Sequence, residues 1–254
     1  MIGFNGGLIG AARETSAAPS VPGVWTPREQ LEAQRAALWP FFSDDPYFAN
    51  VSLLLRGDGT NGSTTIVDSS PSPKTVTAFG DAQISTAQSN FGGSSLRFDG
   101  SGDYLLIAAN SGLSLPGDFT IELWHFLVAN AQYPAPLSSG GYFSGTNSWY
   151  FNVTQSAVTF YVKSTGGNVT SVSTALNQWN HFAIARSGST LRIFKNGTQL
   201  GSFTNSASLT DGGVNGLNIG RLTIYGSMNG YIDDLRITKG VARYTSNFTP
   251  PGAL

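Results

Sequence analysis

Carboxylates are the side chains in this sequence whose chemistry depends most on spacing. Cleaving a glycosidic bond takes two of them flanking one bond, one acting as acid and the other as base or nucleophile. On a strand, alternate positions would point both the same way. Glu122, in FTIELWHF, is the sole glutamate after Glu32, and its nearest acidic neighbour is Asp118, four positions away. Asp233 and Asp234 are adjacent, so strict alternation sends them to opposite faces. Asp99 and Asp103 flank a Gly-rich stretch, where aspartate ordinarily accepts backbone N–H bonds in turns. Two histidines, His125 and His181, and no cysteine leave few candidates for nucleophilic catalysis. His125 follows Trp124 and is expected on an outer or cleft face. These residues predict a non-enzyme.

The elements that must hold such residues read as short strands. VSLLL (51–55), SLRF (95–98), DYLLIA (103–108), FTIELWHF (119–126), WYFNV (149–153), VTFYV (158–162), HFAIA (181–185), LRIF (191–194), LNIG (217–220) and YIDDLRI (231–237) are separated by turn residues. Several alternate, with Phe119, Ile121 and Leu123 set against Thr120, Glu122 and Trp124, as a strand with one face on a core requires. Lys195-Asn196-Gly197-Thr198 predicts a type I′ hairpin, because both central residues of that turn take positive φ. Ser187-Gly188-Ser189 is a second, looser hairpin signal. Ten or more strands without a helical interruption predict two packed antiparallel sheets. Phe98, Tyr104, Trp124, Trp179, Phe182 and Ile193 are the large residues expected to fill the space between them.

The first 24 residues are rich in Gly, Ala, Ser and Pro and cannot build a core alone. Residues 25–39 predict one short helix (about 27–38), with Thr26 as N-cap, Pro27 at the first helical position and Pro40 as the stop. Three turns of helix are marginal in isolation, so the face bearing Trp25, Leu31, Leu38 and Trp39 must pack on the sandwich or on a partner. The expected organisation is an N-terminal arm over 1–48 and a β-sandwich over 49–254.

Composition agrees. Of 254 residues, 40% are hydrophobic and only 11% charged, so Ser, Thr, Asn and Gly must supply the polar surface. A net charge of −1 from 14 scattered basic and 15 acidic residues offers no footprint for nucleic acid. No apolar run approaches the length of a membrane-spanning helix, so no membrane insertion is expected. The N-terminus lacks the basic start of a signal peptide.

Five ordered blocks carry a resemblance: FGGSSLRFDGSGDYLLI (91–107), GDFTIELW (117–124), WNHFAIARSGSTLRIFKNGTQLGS (179–202), LNIGR (217–221) and GYIDDLRITKGVARYTSNFTPP (230–251). Together they resemble the laminin-G-like jelly roll of the concanavalin A-like lectin/glucanase superfamily, over about residues 51–251. GVWTPREQLEAQRAALWP (23–40), followed by DPYFANVSLLLRGDGTNGS (45–63), resembles a form that precedes this sandwich in proteins of tailed bacteriophages, especially those of aquatic hosts.

The resemblance implies an all-β, two-sheet antiparallel sandwich behind an extended arm. It implies a packing position for His181. Glucan-cleaving members of the superfamily cluster carboxylates on one strand, and Glu122 has no such company. Many members hold calcium where an early-loop aspartate meets one on the last long strand, places matched by Asp68 and by Asp233 or Asp234. Here Pro71 and Pro73 replace the usual Gly-rich run, and turn capping is the competing role. Sugar binding is the other inherited expectation, with Tyr133, Tyr142, Trp149 and Tyr225 as stacking candidates, unless those rings serve packing instead. The implied function is a structural virion component (tail, fibre, collar or capsid decoration) that assembles in the host cytoplasm. Its implied partners are other virion proteins through the arm, further copies of itself, and a host surface glycan.

Overall fold

The structure is a computed structural model that describes residues 45–129, 135–140, 147–210, 216–222 and 226–254. The chain divides after Pro46, and every strand belongs to the unit Tyr47–Leu254. The expected helix over 25–39 and its anchoring residues Trp25, Leu31, Leu38 and Trp39 lie outside the described residues.

The strands are β1 (Val51–Leu55), β2 (Thr77–Phe79), β3 (Gln83–Ser85), β4 (Ser95–Asp99), β5 (Tyr104–Ile107), β6 (Phe119–Ala129), β7 (Leu137–Ser139), β8 (Trp149–Val153) and β9 (Ala157–Val162). They continue as β10 (Gly166–Ser171), β11 (Trp179–Ser187), β12 (Thr190–Lys195), β13 (Thr198–Thr204), β14 (Leu217–Ile219), β15 (Arg221–Leu222), β16 (Gly226–Ser227) and β17 (Asn229–Lys239). One sheet runs β13-β12-β11-β6-β17-β4-β3, with β1 added beside the far end of β17. The other runs β10-β9-β8-β7-β14-β5-β2. All these pairings are antiparallel, and the expected two-sheet sandwich is the fold.

Alternation explains the core. Phe119, Ile121 and Leu123 of β6 face inward with Phe182 and Ile184 of β11 and Leu191 and Ile193 of β12. They meet Leu105 and Ile107 of β5, Trp149, Phe151 and Val153 of β8, and Val158, Phe160 and Val162 of β9. Ring contacts span the two sheets, Phe119 to Phe160 at 6.2 Å and Phe151 to Phe182 at 6.3 Å between centroids. At one end of the core the buried Arg186 donates to the carbonyls of Leu115, Gly117 and Ala207, with its guanidinium over the Phe119 ring. The Asn196-Gly197 turn joins β12 to β13 with φ of 48° and 77°, as the hairpin signal required. Gly188-Ser189 likewise joins β11 to β12 in two residues.

The structure corrects two readings of which face is which. Tyr104, Trp124 and Trp179, expected in the core, are partly exposed on outer faces, whereas Phe98, Phe182 and Ile193 are buried as expected. His125, expected on an outer or cleft face, points into the core at 1% exposure, its ring 6.1 Å from that of Phe182. For Trp124 and His125 the cause is the same. Trp124 shares the outward parity of Thr120 and Glu122, so the next residue must turn inward with Ile121 and Leu123.

His125 therefore sits among apolar side chains with neither ring nitrogen hydrogen-bonded. Burial lowers its pKa from 6.5 to about 3. The unfolded chain thus binds the proton more tightly, and this residue withdraws stability as pH falls from about 6.5 towards 3. His125→Leu, of similar size and without polar atoms, is expected to raise stability at pH 7 by about 1–3 kcal/mol, the cost of a buried unsatisfied polar group. The gain should widen at pH 5, as read from urea midpoints at the two pH values. Equal midpoints for the two proteins at both would show that the imidazole costs the fold nothing.

Candidate ligand-binding face

The outer face of the eight-stranded sheet carries cross-strand rows fixed by register. Phe126 of β6 lies opposite Trp179 of β11 and Tyr231 of β17. Trp124 lies between His181 and Asp233, and Glu122 between Ala183 and Arg236. The step from Asp233 to Arg236 crosses a β-bulge, with Asp234 in the left-handed region at φ 46°. That extra residue breaks alternation and puts Arg236 on the same face as Asp233.

One half of this face is closed by the segment after β17. Tyr244 and Phe248 stack at 3.5 Å and lie on Phe194, Ala183 and Ala185, forming a second apolar cluster outside the sandwich. Beneath them Glu122, 0% exposed as a side chain, accepts from Arg236 Nε at 2.9 Å and from the Tyr244 hydroxyl at 2.7 Å. Arg236 Nη2 also lies 2.7 Å from Glu122 Oε1, and His181 Nε2 lies 3.3 Å from Oε2. Burial alone would raise the Glu122 pKa, but the His181 bond and the Arg236 charge outweigh it and hold the group at about 2. Burial and the Glu122 charge push the Tyr244 hydroxyl above its usual range. His181 thus occupies the packed position that the resemblance implied.

The other half is left partly exposed by the described residues. Reading across β3, β4, β17, β6 and β11, the opposed residues are Gln83, Arg97, Tyr231, Phe126 and Trp179. Phe126 is nearly buried and forms the floor, with Trp179 at 5.4 Å and Tyr231 edge-on at 5.7 Å. Trp179, Tyr231, Arg97 and Gln83 are half-exposed. Adjacent strands lie about 4.8 Å apart, so the row extends about 19 Å. No sequence signal isolates this row. Arg97, Tyr231, Phe126 and Trp179 each fall within a recognisable strand or block and Gln83 does not, and only register brings them side by side.

The predicted site residues fare differently. Trp149 is 2% exposed, its ring 5.7 Å from Phe160 and its Nε1 bonded to the Thr210 carbonyl, so it is a core residue and no stacking platform. The parity of WYFNV places Trp149, Phe151 and Val153 inward together. Tyr133, Tyr142 and Tyr225 lie outside the described residues. Asp68 accepts from the backbone N–H groups of Leu54, Ser70 and Lys74 and from the Ser70 hydroxyl, all within 3.0 Å. That saturates it in the turn-capping role. Asp99 and Asp103 also cap their turn.

Asp233 Oδ2 accepts from the N–H groups of Asn90 and Phe91, and Asp234 Oδ2 from that of Leu254. Burial raises the two pKa values to about 6 and about 7, with Asp58 repelling both. Asp233 Oδ1 is buried without a partner, but so are Trp124 Nε1 and Asn90 Nδ2 nearby, and N–H donors do not suit a cation. Among the described residues no three acidic, histidine or cysteine side chains converge as a metal site. Asp68, Asp233 and Asp234 do not fit the calcium set expected of them.

A family model for the concanavalin A-like lectin/glucanases superfamily, of the laminin G type, matches residues 99–243. More than half the chain is covered, and the chain belongs to this superfamily. Solved structures with the same fold include the binding domain of botulinum neurotoxin serotype D, with 12% identity and a TM-score of 0.59 over 77% of this chain and 49% of that one. The receptor binding domain of the C/D mosaic serotype has 14% identity, a TM-score of 0.59 and the same coverage. A third, with 16% identity, a TM-score of 0.57 and the same coverage, is described as showing that cell entry of botulinum neurotoxin type C depends on interaction with two ganglioside molecules. The present chain spans about half the length of these structures. No curated protein matches the chain.

Glu122→Gln leaves Arg236 buried without its counter-charge. Breaking such a pair is expected to cost about 3–5 kcal/mol at pH 7. A carboxylate with a depressed folded-state pKa contributes stability that is complete above its ordinary pKa of 4.5 and fades as pH falls through about 2. The gap between wild type and variant should therefore close over that range in urea titrations. A variant as stable as wild type at pH 7 would show that Glu122 does not hold the closed half together.

Proposed function

We propose that the chain is a non-enzymatic display protein whose sandwich binds carbohydrate on the open half of the eight-stranded sheet. The observation carrying this reading is the row of Tyr231, Phe126 and Trp179, where aromatic rings lie half-exposed on a rigid sheet with polar side chains at one end. Sugar sites stack the apolar face of a pyranose on an aromatic ring and hold its hydroxyls with amides and charged groups. Central strands fix such rings more tightly than loops do, and preorganisation lowers the entropic cost of binding. The ganglioside dependence ascribed to the type C neurotoxin is in keeping with a glycan ligand on this fold.

Hydrolysis fits the same face poorly. Glu122 lies under Tyr244, ion-paired and held as a carboxylate, so no substrate can reach it and it has no proton to give near neutral pH. Asp233 Oδ2 is taken up by the N–H groups of Asn90 and Phe91, whereas hydrolysis requires two carboxylates free to flank one bond.

Residues 1–48, in this reading, fasten the sandwich to other proteins of a tailed bacteriophage particle. The support is the resemblance of residues 23–40 and 45–63 to segments that precede this sandwich in such proteins.

Two measurements test these readings. On a glycan array, one class of glycan should bind the full-length protein. Trp179→Ala and Tyr231→Ala should each weaken that binding about tenfold or more, the loss expected of a central aromatic anchor. Trp149→Ala should instead destabilise the fold by about 3–5 kcal/mol, as core truncations do. Retention of full binding by both outer-face variants would overturn the assignment of the site. Separately, a protein lacking residues 1–40 should fold yet fail to enter particles. Normal incorporation would refute anchoring by the arm.

A further inference from the structure

The open row ends on a cation. Arg97 of β4 lies directly opposite Tyr231 on one side and Gln83 on the other, so its side chain shares the face of the aromatic rings. Directly opposed side chains in antiparallel strands start about 5 Å apart, close enough for one ligand to touch both. Arg97 is half-exposed, and neither a hydrogen bond nor an ion pair engages its guanidinium among the described residues. The acidic side chain two positions along β4, Asp99, accepts from the N–H of Ser101 and does not pair with it. Arg236, on the same sheet face, is by contrast committed to Glu122.

A guanidinium held partly out of water, with no protein anion, binds a planar carboxylate or a sulfate in bidentate fashion at little further desolvation cost. Its position says where that anion must be. Arg97 stands about 10 Å from Phe126 and about 14 Å from Trp179 along the row, two and three strand spacings. A ring stacked near Trp179 and an anionic group at Arg97 therefore belong to different residues of one extended oligosaccharide, not to a single sugar.

We propose that the open row reads an anionic oligosaccharide, a chain of pyranoses bearing carboxylate or sulfate groups. Arg97 takes the anionic group, Gln83 hydrogen-bonds beside it, and Tyr231, Phe126 and Trp179 take the sugar rings. This rests on the carbohydrate reading above and adds the charge of the ligand to it.

The test uses the full chain and three probes: an oligomer of uronic acid, the same oligomer with its carboxyls reduced to alcohols, and a sulfated neutral oligomer. Calorimetric titration should show the uronate or the sulfated oligomer binding at least about tenfold tighter than the reduced one, with the advantage shrinking as salt is raised. Whichever anionic probe wins identifies the source of the charge. Arg97→Gln should abolish that advantage and Arg97→Lys restore part of it, both with the melting temperature of wild type. Lys163→Gln, which removes the same charge just beyond β9 in the other sheet, should leave the advantage intact. Equal affinity for charged and reduced oligomers, or an advantage that survives Arg97→Gln, overturns this inference and spares the carbohydrate reading. Failure of every oligomer to bind overturns both.

Discussion

From Phe119 to Leu123 both faces of β6 are covered, and that constraint organises the rest of the molecule. The inward face meets the second sheet, as in any sandwich. The outward face meets Tyr244 and Phe248 at one end and Phe91, edge-on to Trp124, in the middle. A strand buried on both sides must answer for each polar group it carries, since an unpaired charge in such a place costs several kcal/mol. Glu122 is the outstanding case. It survives burial because the bulge at Asp233–Asp234 swings Arg236 to its side and because Tyr244 reaches down from the covering segment. The bulge, the ion pair and the covering segment form one arrangement, each supporting the other two.

The same constraint separates the closed half of the face from the candidate site. Where the outer face is closed, Glu122, Arg236 and Tyr244 are spent on one another. Where it is open, Tyr231 and Trp179 flank Phe126 with edges and faces available, and the row continues into Arg97 and Gln83 instead of a hydrophobic seal. A face that served only packing would have been covered like the half beside it. A face that served only solubility would not carry three aromatic rings in register, because exposed rings bring a hydrophobic cost without aiding hydration.

Much of the fold was legible because sandwich strands announce themselves by alternation and by turn chemistry. All ten strands read from the sequence are present, VSLLL and WYFNV with the same bounds, and the Asn-Gly hairpin is where its dihedral requirements put it. The strands without a sequence signal are short or polar on both faces, such as β3 with Gln83, Ile84 and Ser85, or the edge strand β10, Gly166–Ser171, whose alternation carries no apolar face. The site was far less legible. Loop aromatics are the natural candidates for sugar binding, yet the one described candidate, Trp149, sits in the core, while Tyr231 and Trp179 lie on strands whose pattern speaks only of packing. Parity could have flagged Phe126, two residues beyond Trp124 on the outward side of β6. What parity cannot supply is register between strands far apart in sequence, and register alone sets Arg97 beside Tyr231, 134 positions away.

Arg97 and Arg236 offer the sharpest contrast on this face. Each projects outward from a strand of the same sheet, and each loses water contact to its neighbours. Arg236 recovers that cost through a carboxylate 2.7 Å away. Arg97 recovers nothing from the described residues, although Asp99 lies two positions along β4. Instead the Asp99 carboxylate is held by the Ser101 N–H in the FDGSGDY turn, and Asp103 anchors the same turn through the Asp99 N–H. The Asp99 carboxylate is thus engaged by the turn and makes no ion pair with Arg97 among the described residues. Under the proposed reading, a cation left uncompensated in this way, at the end of a row of rings, is satisfied by an anion brought from outside.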